Sequence, residues 1–246
     1  MLPLAGLVLV AVALSVTCQG CVRAATAAAS ALNPGADGPA VGPDAAEAGA
    51  PPIGPSPDGY RLDGDGHAVR WDGCGPIDWY LRQGPGPADA AWIARTAVAQ
   101  LERATGLRFR YVGTTDDLVW TGSRSRLGAE RALFISWATP DEVADLAGSI
   151  AGVGGQSWES GSRPRVTGAF AIVDASAALE PGFQGGASHG GVLLHELGHA
   201  VGLDHSADPR RMMNPTASAS LSGEYQAADL EALSRAIEPR ACSRSR

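Results

Sequence analysis

The segment His195-Glu196-Leu197-Gly198-His199-Ala200-Val201-Gly202-Leu203-Asp204-His205 sets three imidazoles, a carboxylate and a glycine at fixed intervals. Such a set binds a zinc ion and activates water for hydrolysis. His195 and His199 are four residues apart, so on a helix they share a face one turn apart. Both ring nitrogens then reach one ion at ~2.0–2.1 Å. Glu196 lies beside the metal rather than on it, placed as a general base for the water. A third ligand must return to the same ion, so the helix has to stop and the chain must turn. Gly202 permits the left-handed conformation of such a stop, and His205 then arrives from outside the helix. Three protein ligands leave a fourth position for water, which marks a catalytic site. A closed structural site needs a fourth ligand, usually cysteine, and neither Cys74 nor Cys242 is close in sequence.

At these residues the chain resembles the metzincin metalloendopeptidases. Ser206 follows the third histidine, which is similar to the matrixin branch; the astacin branch carries glutamate there. Met213, two residues before Pro215, sits where the matrixin Met-turn residue sits, and Met212 is adjacent. The resemblance implies that Met213 forms an apolar floor under the zinc histidines; an ordinary core methionine is the alternative. It also implies an extended substrate paired with an edge strand, for which residues 148–156 are the candidate.

Around this string, apolar periodicity predicts the elements that must hold it. Ile77–Leu81 reads as a first strand. Ala88–Thr105 reads as a helix with Asp89 as N-cap, an apolar stripe of Ile93, Ala97, Leu101 and Ala104, and Gly106 as its stop. Leu107–Val112 and Leu133–Trp137 read as strands. Thr139-Pro140-Asp141-Glu142 is a capping box opening one or two short turns. The glycine-rich stretch 148–156 reads as a weak edge strand and Val166–Asp174 as a further strand. Ser188–Ala200 is the zinc helix. Ser222–Ile237 is a last helix with Leu230, Leu233 and Ile237 on one face, ended by Pro239. The order is similar to that of the matrixin catalytic domain. The expected fold class is α+β: a twisted, mostly parallel sheet with an antiparallel edge strand, the zinc-site helix and a C-terminal helix.

The chain of 246 residues carries 19 Arg and no Lys. Residues 1–32 hold one Arg and no acid, so 33–246 carry 26 acidic and 18 basic groups, a formal charge of −8. That balance excludes nucleic acid as a partner. Leu4–Val16 is an apolar run too short for a comfortable membrane span, and Ala25-Thr26-Ala27 suits a small-residue cleavage. Residues 1–32 therefore read as an export signal. Cys18 and Cys21 raise the rival reading of a lipid anchor at the cell surface. Residues 33–59, rich in Pro, Gly and Ala, read as a linker or short pro-segment. The catalytic domain is expected over 60–246.

If Cys18 and Cys21 leave with the signal or carry lipid, Cys74 and Cys242 remain, and an even pair in an oxidising compartment is usually a disulfide. The rival for Cys74 is a latency switch, suggested by a passing likeness of Gly73-Cys74-Gly75-Pro76-Ile77-Asp78 to the matrixin pro-segment cysteine motif. His67 and His189 read as surface or loop residues. Asp116, Asp117, Asp174 and Glu180 are candidates for Ca²⁺, as in some family members, but solvated turns are the plainer reading.

The expected function is zinc-dependent hydrolysis of peptide bonds in a secreted, monomeric protein without a transmembrane span in its mature form. Protein or peptide is the expected substrate. Two rivals stay open at this point: a zinc hydrolase of cell-wall peptide or another amide, and a binding module with a dead metal site. Intact Glu196 and three histidines weigh against the second.

Overall fold

In a computed structural model, residues 5–14, 68–120, 131–159, 161–218, 221–235 and 237 are described, the first stretch by its backbone alone. His67, Cys18, Cys21, Cys242, the 33–59 stretch and Pro239 lie outside them.

One mixed sheet carries the molecule. Its strands are β1 (Ala5–Leu14), β2 (Ile77–Arg82), β3 (Phe109–Thr114), β4 (Ala132–Ala138), β5 (Ile150–Glu159), β6 (Arg165–Asp174) and β7 (Thr216–Ala217), in the order β3-β2-β4-β6-β5-β1-β7. The first four of these in space are mutually parallel, and β5 runs antiparallel to β6. The helices are α1 (Ala90–Thr105), α2 (His189–Ala200) and α3 (Ala227–Arg235). Among the described residues no helix is long and apolar enough to cross a membrane.

Alternation explains how the sheet faces divide. In β2 every second residue, Ile77, Trp79 and Leu81, is buried, and with Leu133, Ile135, Trp137, Ala169, Ala171 and Val173 they form one side of the main core. Ile93, Ala97 and Leu101 of α1 and Leu193, Leu194 and Leu197 of α2 close it. The opposite face of β4, β5 and β6, with Phe134, Val153, Phe170 and Ile172, is covered by Val119, Val143 and Leu146 in a second cluster. Both faces are thus apolar, as parallel strands require. The turn at 139–142 carries half of its expected capping box: the Glu142 carboxylate accepts the Thr139 N–H at 3.1 Å.

Several expectations need correction. The second predicted strand lies at 109–114 instead of 107–112, because Gly106 takes φ +70° and the chain needs Leu107 and Arg108 to leave the helix. Asp89 flanks α1 but its side chain makes no cap hydrogen bond. The last helix is shorter than 222–237, and Leu230 is 41% exposed. It buries Asp229, Ala232 and Leu233 instead, since Asp229 is drawn inward to backbone N–H groups. His189 is neither loop nor surface: it opens α2, half-buried. The outer side of β5, expected to be an open edge, is paired along its length by β1.

Candidate metal centre

α2 is built for close approach. Ser188 caps it, accepting the Gly191 N–H at 3.0 Å while its own hydroxyl donates to Gly185 O at 2.6 Å. A Cβ on Gly191 would strike Gly185 O, one on Gly190 would enter the Phe183 ring, and one on Gly198 would overlap Met213 Sδ. Each glycine costs ~1 kcal/mol of helix propensity relative to Ala, so the packing must offset it. The helix ends in a Schellman arrangement: Leu203 N–H donates to Gly198 O at 2.9 Å and Gly202 N–H to His199 O at 3.0 Å. Gly202 has φ +105°, and a Cβ there would also lie 2.9 Å from Val69 O. Trp71 Nε1 donates to Ala200 O at 2.9 Å and fastens the same end.

The turn delivers His205 to the other two histidines. Ligand atoms of His195, His199 and His205 all lie within 4.8 Å of one another, and these are the converging His/Cys/Asp/Glu side chains among the described residues. His195 Nδ1 lies 2.6 Å from Met212 O, and His199 Nδ1 lies 2.9 Å from Leu203 O. Carbonyls only accept, so both Nδ1 atoms carry the proton and donate. Burial, then the neighbouring His205, push the His195 pKa down to about 3, so the ring is neutral. The bare Nε2 lone pairs of His195 and His199 therefore face each other 3.0 Å apart. Two lone pairs at that distance call for a cation. A tetrahedral zinc with bonds of ~2.0–2.1 Å holds its nitrogens roughly 3.3 Å apart, so the donor set fits the metal.

The loop after His205 is tied back to the site. Ser206 N–H donates to Met213 O at 2.8 Å, and Asn214 Nδ2 donates to Ser206 O at 3.1 Å. Of the two adjacent methionines, Met212 offers its carbonyl to His195, and Met213 presses its sulfur on Gly198, between the two helical histidines.

Glu196 is fully buried, and neither carboxylate oxygen has a hydrogen-bond partner among the described residues. Burial pushes its carboxyl well above the ordinary range. Beneath it lies β5. A Cβ on Gly152 would come 2.7 Å from Glu196 Oε1, and one on Gly154 would come 2.9 Å from Oε2. These two glycines are what the sequence reading missed. Glycine at alternate positions of a strand signals another group in close contact, and here the group is Glu196.

Asp229 was missed as well. Its carboxylate accepts the N–H groups of Met212 (3.1 Å) and Gln226 (3.0 Å), fastening the methionine turn to the start of α3. An acid three residues into a helix is a cap signal, but nothing local says that it reaches Met212. Tyr225 adds a second tie, its hydroxyl donating to Leu194 O at 2.7 Å. Cys74 has no free thiol. A small cavity of about 10 Å³, room for about one water, is lined by Val192, His195, Met212, Asn214, Ala217 and Leu221.

The family model of the matrixins matches residues 114–235, about half of the chain, including the three histidines, Glu196 and the methionine turn. The chain is a matrixin-like metzincin, and its three histidines are a set that could hold one metal ion. Among solved structures it is similar to metalloproteinase-II from Bacteroides fragilis, at 14% identity over 68% of this chain and 55% of that one, with a TM-score of 0.39. The chain thus spans little more than half the length of that protein. No curated protein matches it significantly.

Proposed function

We propose that this protein is a secreted endopeptidase in which Glu196 is the general base. The observation that carries the reading is the convergence of two proton-free Nε2 atoms and His205, next to a buried carboxylate. Zinc held by His195, His199 and His205 would supply a Lewis acid for the scissile carbonyl and lower the pKa of a water. Glu196 takes the proton of the attacking water and passes it to the leaving amine. Met212 and Leu203 carbonyls fix the ring orientations, so the donors are set before substrate arrives. Met213 acts as the floor and Gly202 as the turn that brings in the third ligand.

Export rests on the apolar run 4–16 and the small residues after it, with free secretion ahead of a lipid anchor at Cys18 or Cys21. The domain division at 32 and 59, a monomeric state, and the Cys74–Cys242 disulfide complete the proposal. Intact-mass measurement with and without reductant checks the pair; two free thiols in exported protein would revive the latency switch.

The deciding experiment is mass-spectrometric product analysis of the zinc-loaded protein on casein, on a peptide library and on cell-wall fragments. Internal cuts in casein and peptides are expected. Release from cell-wall fragments alone would make it a cell-wall amidase, and no zinc retained after reconstitution would remove the site.

A further inference from the structure

The two helical histidines are held by different parts of the molecule. His199 Nδ1 donates at 2.9 Å to Leu203 O, which belongs to the turn that ends its own helix. His195 Nδ1 donates at 2.6 Å to Met212 O, seventeen residues away. Met212 is in turn pinned from α3, since its N–H donates to the Asp229 carboxylate at 3.1 Å. The backbone of His195 has an outside anchor of the same origin. The Tyr225 hydroxyl donates at 2.7 Å to Leu194 O, the oxygen of the peptide bond that joins Leu194 to His195. Tyr225 and Asp229 stand four residues apart at the start of α3 and are both buried.

We propose that Tyr225 is a positioning residue for His195: through Leu194 O it fixes where α2 places this ligand, while the Met212 carbonyl fixes how the ring is turned. The proposal rests on the reading of the three histidines as zinc ligands.

Three observations carry it. First, Leu194 O has no need of this bond. In an α-helix it accepts the N–H four residues on, which is that of Gly198. The tyrosine hydroxyl is therefore a second donor on an oxygen already served, and what it adds is a fixed position. Second, α2 is poorly placed to hold its own shape. Gly190, Gly191 and Gly198 bring the backbone freedom of glycine into it. Gly198, which shares Leu194 O with Tyr225, is also the residue on which Met213 presses its sulfur. One carbonyl thus joins α2, the start of α3 and the methionine turn. Third, the tolerance is small. His195 Nε2 and His199 Nε2 are 3.0 Å apart, and metal–ligand distances hold to within about 0.2 Å. A helix shift of that size is enough to weaken one bond. His199 answers to its own turn, so loss of the Tyr225 anchor acts on His195 alone.

The test compares two variants of the full chain. Tyr225→Phe removes only the hydroxyl. Thr105→Val is the matched control, because the Thr105 hydroxyl donates to Leu101 O at 2.7 Å, the same kind of bond on α1, which carries no ligand. Each should lower the melting temperature by about 2–4 °C, the shift for one buried hydrogen bond in a chain of this size. Zinc affinity is measured at room temperature by competition with a chelator, and the cobalt-substituted proteins are compared by visible absorption. Tyr225→Phe is expected to weaken zinc about three- to tenfold, at the low end for a residue that acts on a metal through its ligand, and to shift the cobalt bands. Thr105→Val should change neither. Unchanged zinc affinity and unchanged cobalt bands in Tyr225→Phe, at whatever melting temperature, would overturn the proposal, as would an equal loss of zinc in Thr105→Val. Turnover of a casein-derived peptide is followed alongside. Weaker zinc in Tyr225→Phe, with no peptide cleaved by any form, would leave the positioning role standing and remove the peptidase reading. Wild-type zinc affinity with full turnover in that variant would do the reverse.

Discussion

α1 and α2 lie against the same sheet and are both stopped by a glycine, yet they are different kinds of helix. α1 buries one stripe and shows the rest to solvent, with Trp92 55% exposed; α2 has eleven of its twelve residues buried. α1 contains no glycine, and the glycine that ends it, Gly106 at φ +70°, would place a Cβ in open space. α2 contains three, each against an atom that a methyl group would strike, and Gly202 has Val69 O at its back. A helix that only packs is free to use good helix formers and to tolerate its surroundings. A helix that must bring donor atoms to one point gives up propensity for distance, and its end becomes part of the site.

The largest effect separating the two helices is expected from Glu196→Gln. Turnover should fall ~10²–10⁴-fold with zinc content unchanged, because the amide cannot take the water's proton. Gln100→Ala on α1 should leave turnover within about twofold, as a surface change away from any site. Parallel zinc analysis and peptide kinetics check both, and near-wild-type cleavage by the zinc-loaded glutamine variant would take the base role from Glu196.

The two stops make the next comparison. Gly106→Asn should cost no more than about 1 kcal/mol, since Asn tolerates the left-handed region and the space is open. Gly202→Asn should cost several times that and weaken zinc retention, since the turn that delivers His205 must shift. Urea denaturation and competition with a chelator measure the pair; equal costs would mean that contact with Val69 is irrelevant.

Gly198→Ala and Ala99→Gly reverse one exchange on the two helices. By propensity alone the first should stabilise and the second destabilise by ~1 kcal/mol. The contact with Met213 Sδ should instead make Gly198→Ala destabilising by ~1–3 kcal/mol, the cost of overpacking. A higher melting temperature for Gly198→Ala would show that the methionine yields.

Glu142, outside both helices, gives the baseline. Burial alone would raise its carboxyl, but the Arg82 guanidinium and the Thr139 N–H outweigh it and hold it below the ordinary value. A carboxyl lowered in the folded state stabilises above its unfolded pKa, and that contribution fades as pH falls through the folded value. The pair is partly exposed, so Glu142→Gln should cost under ~1 kcal/mol at pH 7 and nothing at pH 2. Melting temperatures at the two pH values decide it.

Legibility followed the same division. α1 could be read because its stripe and Gly106 are local signals; it begins at Ala90, directly after the expected cap Asp89, although the Asp89 side chain makes no cap hydrogen bond. The zinc string could be read because coordination geometry leaves few spacings that work. Leu230 was misread because periodicity cannot anticipate that Asp229 turns inward to Met212, seventeen residues earlier. The N-terminal run carries one pattern, continuous and apolar, that suits an export signal and a sheet strand alike, and only pairing partners tell them apart.

The sequence by itself determined the chemistry: which atoms can hold a metal, which carboxylate follows the first of them, and where the helix must stop. These are properties of spacing along one chain. Tertiary structure decided which methionine atom meets which group, why Gly152 and Gly154 are glycines, what anchors the methionine turn, and what lies along β5. Each of those depends on a close contact between residues distant in sequence. Such contacts are fixed by packing, which no local pattern records.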